Sequence, residues 1–252
     1  MDIKNQYGTL EMQLYELENL KDFDTFCRQH NICYSLAGGT LLGAVRHGGF
    51  IPWDDDIDVM LDRVNYEKFL QEAESSLPEK YEFIQRIWIK RITRKDNPKK
   101  DKEEGCIDLF VVDNVPDNPV FSKLKIFMIL TLQGMLKGKV DYSKYSFKNK
   151  ILLWGTYVIG LPFTRHFKQK MYDTVSKIGN GKNTKNVNCY NTMFKYVRTC
   201  RYSRDMLSSY HDIEFENCMF MAMEDYNQHL KEQYGDYMQL PPEGERIPMH
   251  MK

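Results

Sequence analysis

The spacing of apolar and polar residues divides the chain into helical and extended segments. Between residues 9 and 30 apolar residues recur at intervals of three and four, which predicts an amphipathic helix with its polar face outward. A short apolar run at 32–37 predicts the first strand of a sheet. The helical pattern returns over 64–75, where Asp62 is placed to cap the helix. Helices and strands thus alternate, as expected for a mixed α/β protein.

The remaining predicted elements follow from the same patterns. In chain order they are a strand at 81–93, a polar hairpin-type connection or loop at 94–105, a strongly apolar strand at 106–113, helices at 124–136 and 151–163, irregular strand and turn at 187–206, an extended edge at 212–221, and a helix at 223–234 that ends at Gly235.

Composition narrows the class of protein. A chain of 252 residues can form one large domain or a domain with an insertion. Its formal charge of zero gives no global attraction to nucleic acid. Six cysteines without a C-x-x-C pair indicate free thiols in a reducing compartment. Because no apolar signal core and no uninterrupted apolar run of membrane-spanning length is visible, we expect a cytoplasmic protein.

A cluster of aspartates follows a Pro-Trp pair. Asp54, Asp56 and Asp58 are spaced by two, so on a strand all three side chains would project from one face. Like charges repel, and a bound divalent cation commonly offsets such a cluster, so we expect a metal site here. A solvated surface loop is the alternative. An EF-hand loop counted from Asp54 is excluded, because Val59 and Asn65 occupy its required Gly and Glu positions.

A single acid, Asp108, lies within the apolar run CIDLFVVD. A charge in such a run is costly unless it has a partner. A metal shared with Asp56 and Asp58 would supply that partner, which makes Asp108 the candidate third carboxylate. The alternative is an acid at a strand edge that faces water.

Residues before the acid cluster suggest contacts for an anionic substrate. Gly38 and Gly39 permit close backbone approach to a ligand, and the N-terminus of the helix that opens at Thr40 can receive a phosphate. Arg46 and His47 end this helix, where they either satisfy its dipole or contact substrate.

The middle of the chain is basic. Between residues 121 and 170 ten lysines and arginines accompany one acid, Asp141. The two apolar segments within this region are either core or lid helices with solvated ends, or a basic, apolar surface that rests on a membrane or receives a lipid-linked or anionic acceptor.

Three blocks of this sequence resemble the LicD family of phosphotransferases, to which the eukaryotic fukutin proteins are related. They are GGTLLGAVRHGGFIPWDDDIDV at 38–59, IDLFVVDNVP at 107–116 and YGDYMQLPPEGERIPMH at 234–250. The first block is long and specific, and the other two occur in the expected order. The resemblance therefore spans nearly the whole chain, with the basic middle least constrained.

The resemblance implies an α+β fold of the polymerase-β nucleotidyltransferase type, in which helices flank a mixed sheet. We expect a catalytic core at 1–118, a basic helical insertion at 119–186, and a C-terminal, partly helical region at 187–252 that completes the site.

The resemblance also assigns site residues. Gly38 and Gly39 correspond to the turn, Asp56 and Asp58 to the paired acids, and Asp108 to the third acid. These three acids would hold Mg²⁺ or Mn²⁺, with two ions expected. Thr40 and the glycine backbone are expected to bind phosphate oxygens, and Asp54 is the candidate general base. The candidate charge clamps are Arg46, Lys90 and Arg246, and the further substrate contacts are His47 and His250. Trp53 either faces a quaternary ammonium group or packs under the acid strand.

The implied reaction transfers a substituted phosphate from a CDP-linked donor to a glycan hydroxyl and releases CMP. In the bacterial branch the donor is CDP-choline and the acceptor is teichoic acid or lipopolysaccharide. Glycerol and ribitol phosphate donors stay open, as do a lipid-linked acceptor and a peripheral position at the inner face of the cell membrane; no nucleic-acid partner is expected. The competing hypotheses are a nucleotidyltransferase that moves NMP to a small acceptor and a non-catalytic, metal-dependent nucleotide-binding protein.

Overall fold

The computed structural model describes residues 6–97, 99, 104–138, 143 and 145–248, and its mixed sheet is flanked by helices. This confirms the predicted α+β class. The chain divides into a first unit, 1–84, 90–111 and 205–252, and a second unit, 85–89 and 112–204. The domain boundaries drawn at residues 118 and 186 stay predictions.

The helices and strands cover most of the described residues. In chain order they are α1 (Leu10–Gln29), β1 (Ser35–Leu36), α2 (Gly38–His47), β2 (Ile57–Asp62), α3 (Arg63–Ser76), β3 (Tyr81–Arg86), β4 (Ile89–Arg94), β5 (Cys106–Val115), α4 (Pro119–Lys137), α5 (Phe147–Gly160), α6 (Arg165–Ser176), β6 (Asn186–Cys189), α7 (Phe194–Thr199), β7 (Tyr202–Ser203), β8 (Tyr210–Phe215), β9 (Cys218–Met223) and α8 (Tyr226–Tyr234).

The sheet of the first unit has the strand order β1-β2-β5-β4-β3. The pairs β1–β2 and β4–β5 are antiparallel. The polar connection predicted at 94–105 lies partly outside the described residues, at 98 and 100–103. Helix α1 buries Phe23 and Phe26 against Phe69 of α3. The carboxylate of Asp62 accepts a 2.7 Å hydrogen bond from the backbone N–H of Asn65, which confirms the predicted cap of α3.

Several predicted element boundaries are wrong. The extended edge expected at 212–221 is two strands, β8 and β9, and the helix expected from residue 223 begins at Tyr226. The strand expected at 81–93 is two strands, because the chain turns at Ile87, where φ is +49°. Helix α2 begins at Gly38, two residues before the predicted Thr40. Strand β2 begins only at Ile57, because the preceding segment turns. In that turn Asp54 N–H donates to the Ile51 carbonyl at 2.8 Å.

The second unit has a helical core built on α4. The helix contacts α5, α6 and α7, and buried side chains of α4, α6 and α7 pack together, among them Ile129, Tyr172 and Val197. Both apolar segments of the basic region are therefore helices. Lys125 is buried, donates to the carbonyls of Asn114 and Ile178, and lies over the Tyr190 ring. In this unit the end of β5 pairs antiparallel with β6, and β6 pairs with β7.

Among the described helices, α4 alone is long and apolar enough to cross a membrane by length and composition. The core helix of a soluble protein can pass the same test, but such a helix is mostly buried. In α4 only 39% of the most apolar window is buried. Much of its apolar surface is thus exposed, including Val120, Phe121 and Phe127.

Candidate active site

Polar residues at the start of α1 fix the loop that carries the acid cluster. The Thr9 hydroxyl donates to the Pro52 carbonyl at 2.7 Å. The Gln13 side-chain amide donates to the carbonyls of Ile51 at 3.1 Å and Asp54 at 2.8 Å. The segment 51–56 is therefore held by tertiary hydrogen bonds to a helix. Of the three alternating aspartates, only Asp58 lies on the strand, so their predicted common strand face is wrong.

The Gly-Gly turn makes room for two of these aspartates. A Cβ atom on Gly38, where φ is +51°, would lie 1.9 Å from Oδ2 of Asp58, and one on Gly39 would lie 2.3 Å from Oδ2 of Asp54. The backbone N–H of Gly39 donates to the Asp58 carboxylate. Thr40 accepts a 2.9 Å hydrogen bond from Asp58 N–H through its hydroxyl. We predicted that the space next to these glycines would admit a ligand. In the structure the carboxylates of Asp58 and Asp54 occupy it.

The predicted acids share one electrostatic environment. The pKa of Asp58 is raised well above its ordinary value, first by burial and then by the carboxylates of Asp56, Asp108 and Asp54. The structure thus brings Asp54, Asp56 and Asp108 within electrostatic range of Asp58. Because their negative charges oppose ionisation of Asp58, a positive charge at this place would be stabilised.

Glu16 of α1 belongs to the same acid region, and the sequence reasoning missed it. It is fully buried, and its Oε1 accepts a 3.0 Å hydrogen bond from Gly105 N–H. Its pKa is raised well above the ordinary value by burial and then by Asp56, with smaller contributions from Asp54 and Asp55. A signal was available, because polar residues recur at intervals of three along the buried face of α1: Gln13, Glu16 and Asn19.

Asp108 has a cationic partner within the chain. Nε of Arg91 lies 2.5 Å from its Oδ1, and Nη2 donates to its Oδ2 at 2.8 Å. Both residues are buried, and they stand opposite each other on β4 and β5. The partner required for a buried acid is thus an arginine that the sequence analysis did not single out.

Lys90 lies on the other face of β4. Successive side chains of a strand alternate, so Lys90 points away from the face that carries Arg91 and Asp108. Its ammonium group lies 5.3 Å from the centre of the Phe83 ring. The structure therefore does not bring this predicted charge clamp to the acids.

The acid region suits a hard divalent cation in its donor chemistry, since carboxylate oxygens are the ligands that Mg²⁺ prefers. Burial and then the neighbouring carboxylates raise the pKa of Asp58, and a bound cation would offset the repulsion between these acids. Among the described residues, however, no three His, Cys, Asp or Glu side chains are arranged as a metal site. Asp56 and Asp58 have the donor chemistry for such an ion, whereas the carboxylate of Asp108 is directed to Arg91.

A second group of candidates surrounds Trp53. Its ring meets the rings of Tyr7 and His47 edge to face, at centroid distances of 5.7 and 6.3 Å. The Arg246 guanidinium lies 5.7 Å from the Trp53 ring centre. Burial and then the neighbouring Arg46 lower the pKa of His47, which favours its neutral ring.

Arg46 links this aromatic group to the acids. It donates to the Tyr237 carbonyl at 2.9 Å, and Asp54 and Arg246 both act on it electrostatically. The C-terminal segment thus contributes to the region around Trp53. His250 lies outside the described residues.

The chain is similar in sequence to a known protein family and to individual bacterial proteins. The family model described as "LicD/FKTN/FKRP, nucleotidyltransferase domain" matches residues 31–128, which include the glycine turn and all the acids except Glu16. The chain is 30% identical over 280 positions to lipopolysaccharide cholinephosphotransferase LicD of Haemophilus influenzae, covering 96% of each chain. Uncharacterized protein RP689 of Rickettsia prowazekii is 29% identical over 123 residues, which is 47% of this chain and 40% of that one.

Proposed function

Because the chain belongs to the LicD family, we propose that it is a phosphotransferase that moves phosphocholine to a hydroxyl of a cell-surface glycan. The observation that carries this proposal is the 30% identity, over 96% of both chains, to a protein named as a lipopolysaccharide cholinephosphotransferase. Teichoic acid is a second glycan of suitable chemistry. The protein would work in the cytoplasm or at the inner face of the cell membrane.

The donor in this proposal is CDP-choline. The acceptor oxygen forms a bond to the phosphorus that carries choline, and the bond from that phosphorus to the CMP oxygen breaks. CMP leaves, and the acceptor hydroxyl loses its proton. Asp54, which lies against Gly39 at the acid cluster, is the proposed acceptor of that proton.

The remaining residues bind and orient. Asp56 and Asp58 would hold Mg²⁺ or Mn²⁺, which when bound polarises phosphoryl oxygens and lowers the pKa of a bound hydroxyl. Arg46 is near enough to Asp54 to place positive charge beside the diphosphate. The Trp53 ring faces the Arg246 guanidinium, and a quaternary ammonium group would bind the ring by the same cation–π attraction when it takes the place of that arginine.

Two other donor chemistries fit the same acids. Glycerol or ribitol phosphate would need no aromatic ring for an ammonium group. A nucleotidyltransferase would transfer NMP and release pyrophosphate from an NTP. Of these donors only CDP-choline carries a quaternary ammonium group, which the aromatic rings around Trp53 would bind.

The test measures CMP released from CDP-choline, CDP-glycerol and CDP-ribitol, each with Mg²⁺ and with a lipopolysaccharide or teichoic acid precursor fraction. We expect acceptor-dependent CMP from CDP-choline, loss of CMP release with EDTA, and roughly a 10²- to 10³-fold decrease in turnover for Asp58→Asn. Asp96→Asn, at an exposed aspartate of the same unit, is the matched control and should leave turnover unchanged. Transfer of a nucleotide to the acceptor, with release of pyrophosphate, would instead establish the NMP reaction.

A further inference from the structure

The second unit carries an exposed apolar surface on α5 and the turn that follows it. Residues 151–163, ILLWGTYVIGLPF, contain no charged residue. Trp154 is 60% exposed and Leu152 is 65% exposed, although both are large apolar side chains. We call this surface the apolar apex, and it consists of Ile151, Leu152, Trp154, Ile159, Leu161 and Phe163.

The opposite face of α5 is fixed to α4. Leu153, Thr156 and Gly160 are buried. A Cβ atom on Gly134 of α4 would lie 2.3 Å from the Thr156 hydroxyl oxygen, and one on Gly160 would lie 3.1 Å from Cβ of Met135. Such close approach holds α5 in one orientation. The exposure of the apolar apex is therefore a property of a packed helix.

Basic residues flank the apolar apex on both sides. From residue 142 to 172 the sequence has six lysines and arginines and no aspartate or glutamate. Of these, Lys148 precedes the apex, Arg165 and Lys170 follow it, and all three are exposed. An apolar surface between exposed cations is complementary to an anionic bilayer, which offers negative headgroups above an apolar interior.

The charge pattern also favours an anionic bilayer over a second copy of this chain as the partner that covers this surface. In a symmetric pair of chains the same patch meets itself, so the basic flanks would face each other and repel. An anionic bilayer attracts both flanks, and tryptophan is the residue most typical of the membrane–water interface. We propose that α5 and the start of α6 dock this protein on the surface of an anionic lipid bilayer.

This inference goes beyond the proposed function and does not depend on it. Docking would place the chain on the membrane surface, where a lipid-linked acceptor would be found. Vesicle binding is measured without donor or acceptor, so failure of docking and failure of the phosphotransferase proposal are separate results.

The experiment is vesicle co-sedimentation of the full chain, with vesicles of phosphatidylcholine alone and of phosphatidylcholine mixed with the anionic lipid phosphatidylglycerol. We expect at least tenfold stronger binding to the anionic vesicles, weakened by high salt. We also expect a blue shift of tryptophan emission on binding that Trp154→Phe abolishes.

Two sets of variants separate the apolar and charged contributions. Ile151→Gln with Trp154→Gln should lower binding to anionic vesicles at least 30-fold, because both side chains insert. Lys148→Gln with Lys170→Gln should lower it roughly fivefold per charge removed, and only on anionic vesicles. The matched control, Val64→Gln on an exposed apolar residue of the first unit, should bind as the unchanged protein does.

Three results would overturn the inference. They are absence of binding to either vesicle, binding that the apolar variant leaves unchanged, and a dimer in sedimentation that Trp154→Gln dissociates while vesicles are not bound. Because the substituted residues are exposed, circular dichroism and the melting temperature should confirm that each variant folds.

Discussion

The buried ion pair of Arg91 and Asp108 allows a quantitative test. In Arg91→Met the arginine is replaced by a shorter, flexible apolar side chain that cannot carry charge. Arg91 is 3% exposed and Asp108 is 5% exposed, so water cannot take the place of the lost partner. Breaking a buried pair by removing one partner costs about 3–5 kcal/mol of folding free energy, because an uncompensated charge stays buried.

The assay is urea unfolding followed by circular dichroism, together with the melting temperature. For a chain of this size, about 3–5 kcal/mol corresponds to a decrease in Tm of roughly 6–20 °C. The double variant Arg91→Met with Asp108→Leu removes both charges and should recover most of the lost stability. In a double-mutant cycle it should therefore be less destabilised than the sum of the two single variants.

A matched control lies on the same strand. Arg94 pairs with Asp96 at 2.8 Å, but the Asp96 side chain is 66% exposed. Surface pairs contribute about 0–1 kcal/mol, so Arg94→Met should have a small effect. If Arg91→Met cost no more than Arg94→Met, the argument from burial would be refuted.

Three further predictions concern single residues. Gly38→Ala should lower turnover at least tenfold, because the added Cβ would lie 1.9 Å from the Asp58 carboxylate. At Gly48 φ is also positive but nothing lies within 4 Å of an added Cβ, so Gly48→Ala should lower stability and leave turnover unchanged. Steady-state kinetics and the melting temperature compare the two variants. Glu16→Gln should stay within about 1 kcal/mol of the unchanged protein in urea unfolding, whereas Glu16→Leu should cost about 1–3 kcal/mol, because it leaves a buried backbone N–H without its acceptor. Burial lowers the pKa of His229 to about 4, so the unfolded chain binds the extra proton first as pH falls from about 6.5 to 4. Stability should therefore decrease by about 3 kcal/mol across that window, and urea unfolding of His229→Phe should show a flatter pH dependence.

Local signals predicted the elements that depend on neighbouring residues. Helix α1 followed from its apolar spacing, α3 from the Asp62 cap, and the end of α8 from Gly235. Each signal acts within a few residues of the backbone that it shapes. The aspartate loop did not follow, because Thr9 and Gln13 hold it by hydrogen bonds to residues about forty positions away.

The partner of Asp108 could not be predicted for a related reason. Lys90 and Arg91 are adjacent cations on opposite faces of β4, and only the register with β5 decides which one meets the acid. A shift of one residue would exchange them. The sequence therefore contains both cations of the right type, and the pairing of the two strands chooses Arg91.

This pairing bears on how the acid site would bind metal. Both carboxylate oxygens of Asp108 interact with Arg91, so an ion bound to Asp108 would have to share that carboxylate with the arginine or displace it. A site with one ion requires only Asp56 and Asp58 and leaves the pair in place. The one-ion site keeps the positive charge of Arg91 beside the acids. It also leaves the buried Arg91–Asp108 ion pair intact. On energetic grounds we therefore expect one ion to bind first, on Asp56 and Asp58, while Asp108 stays with Arg91.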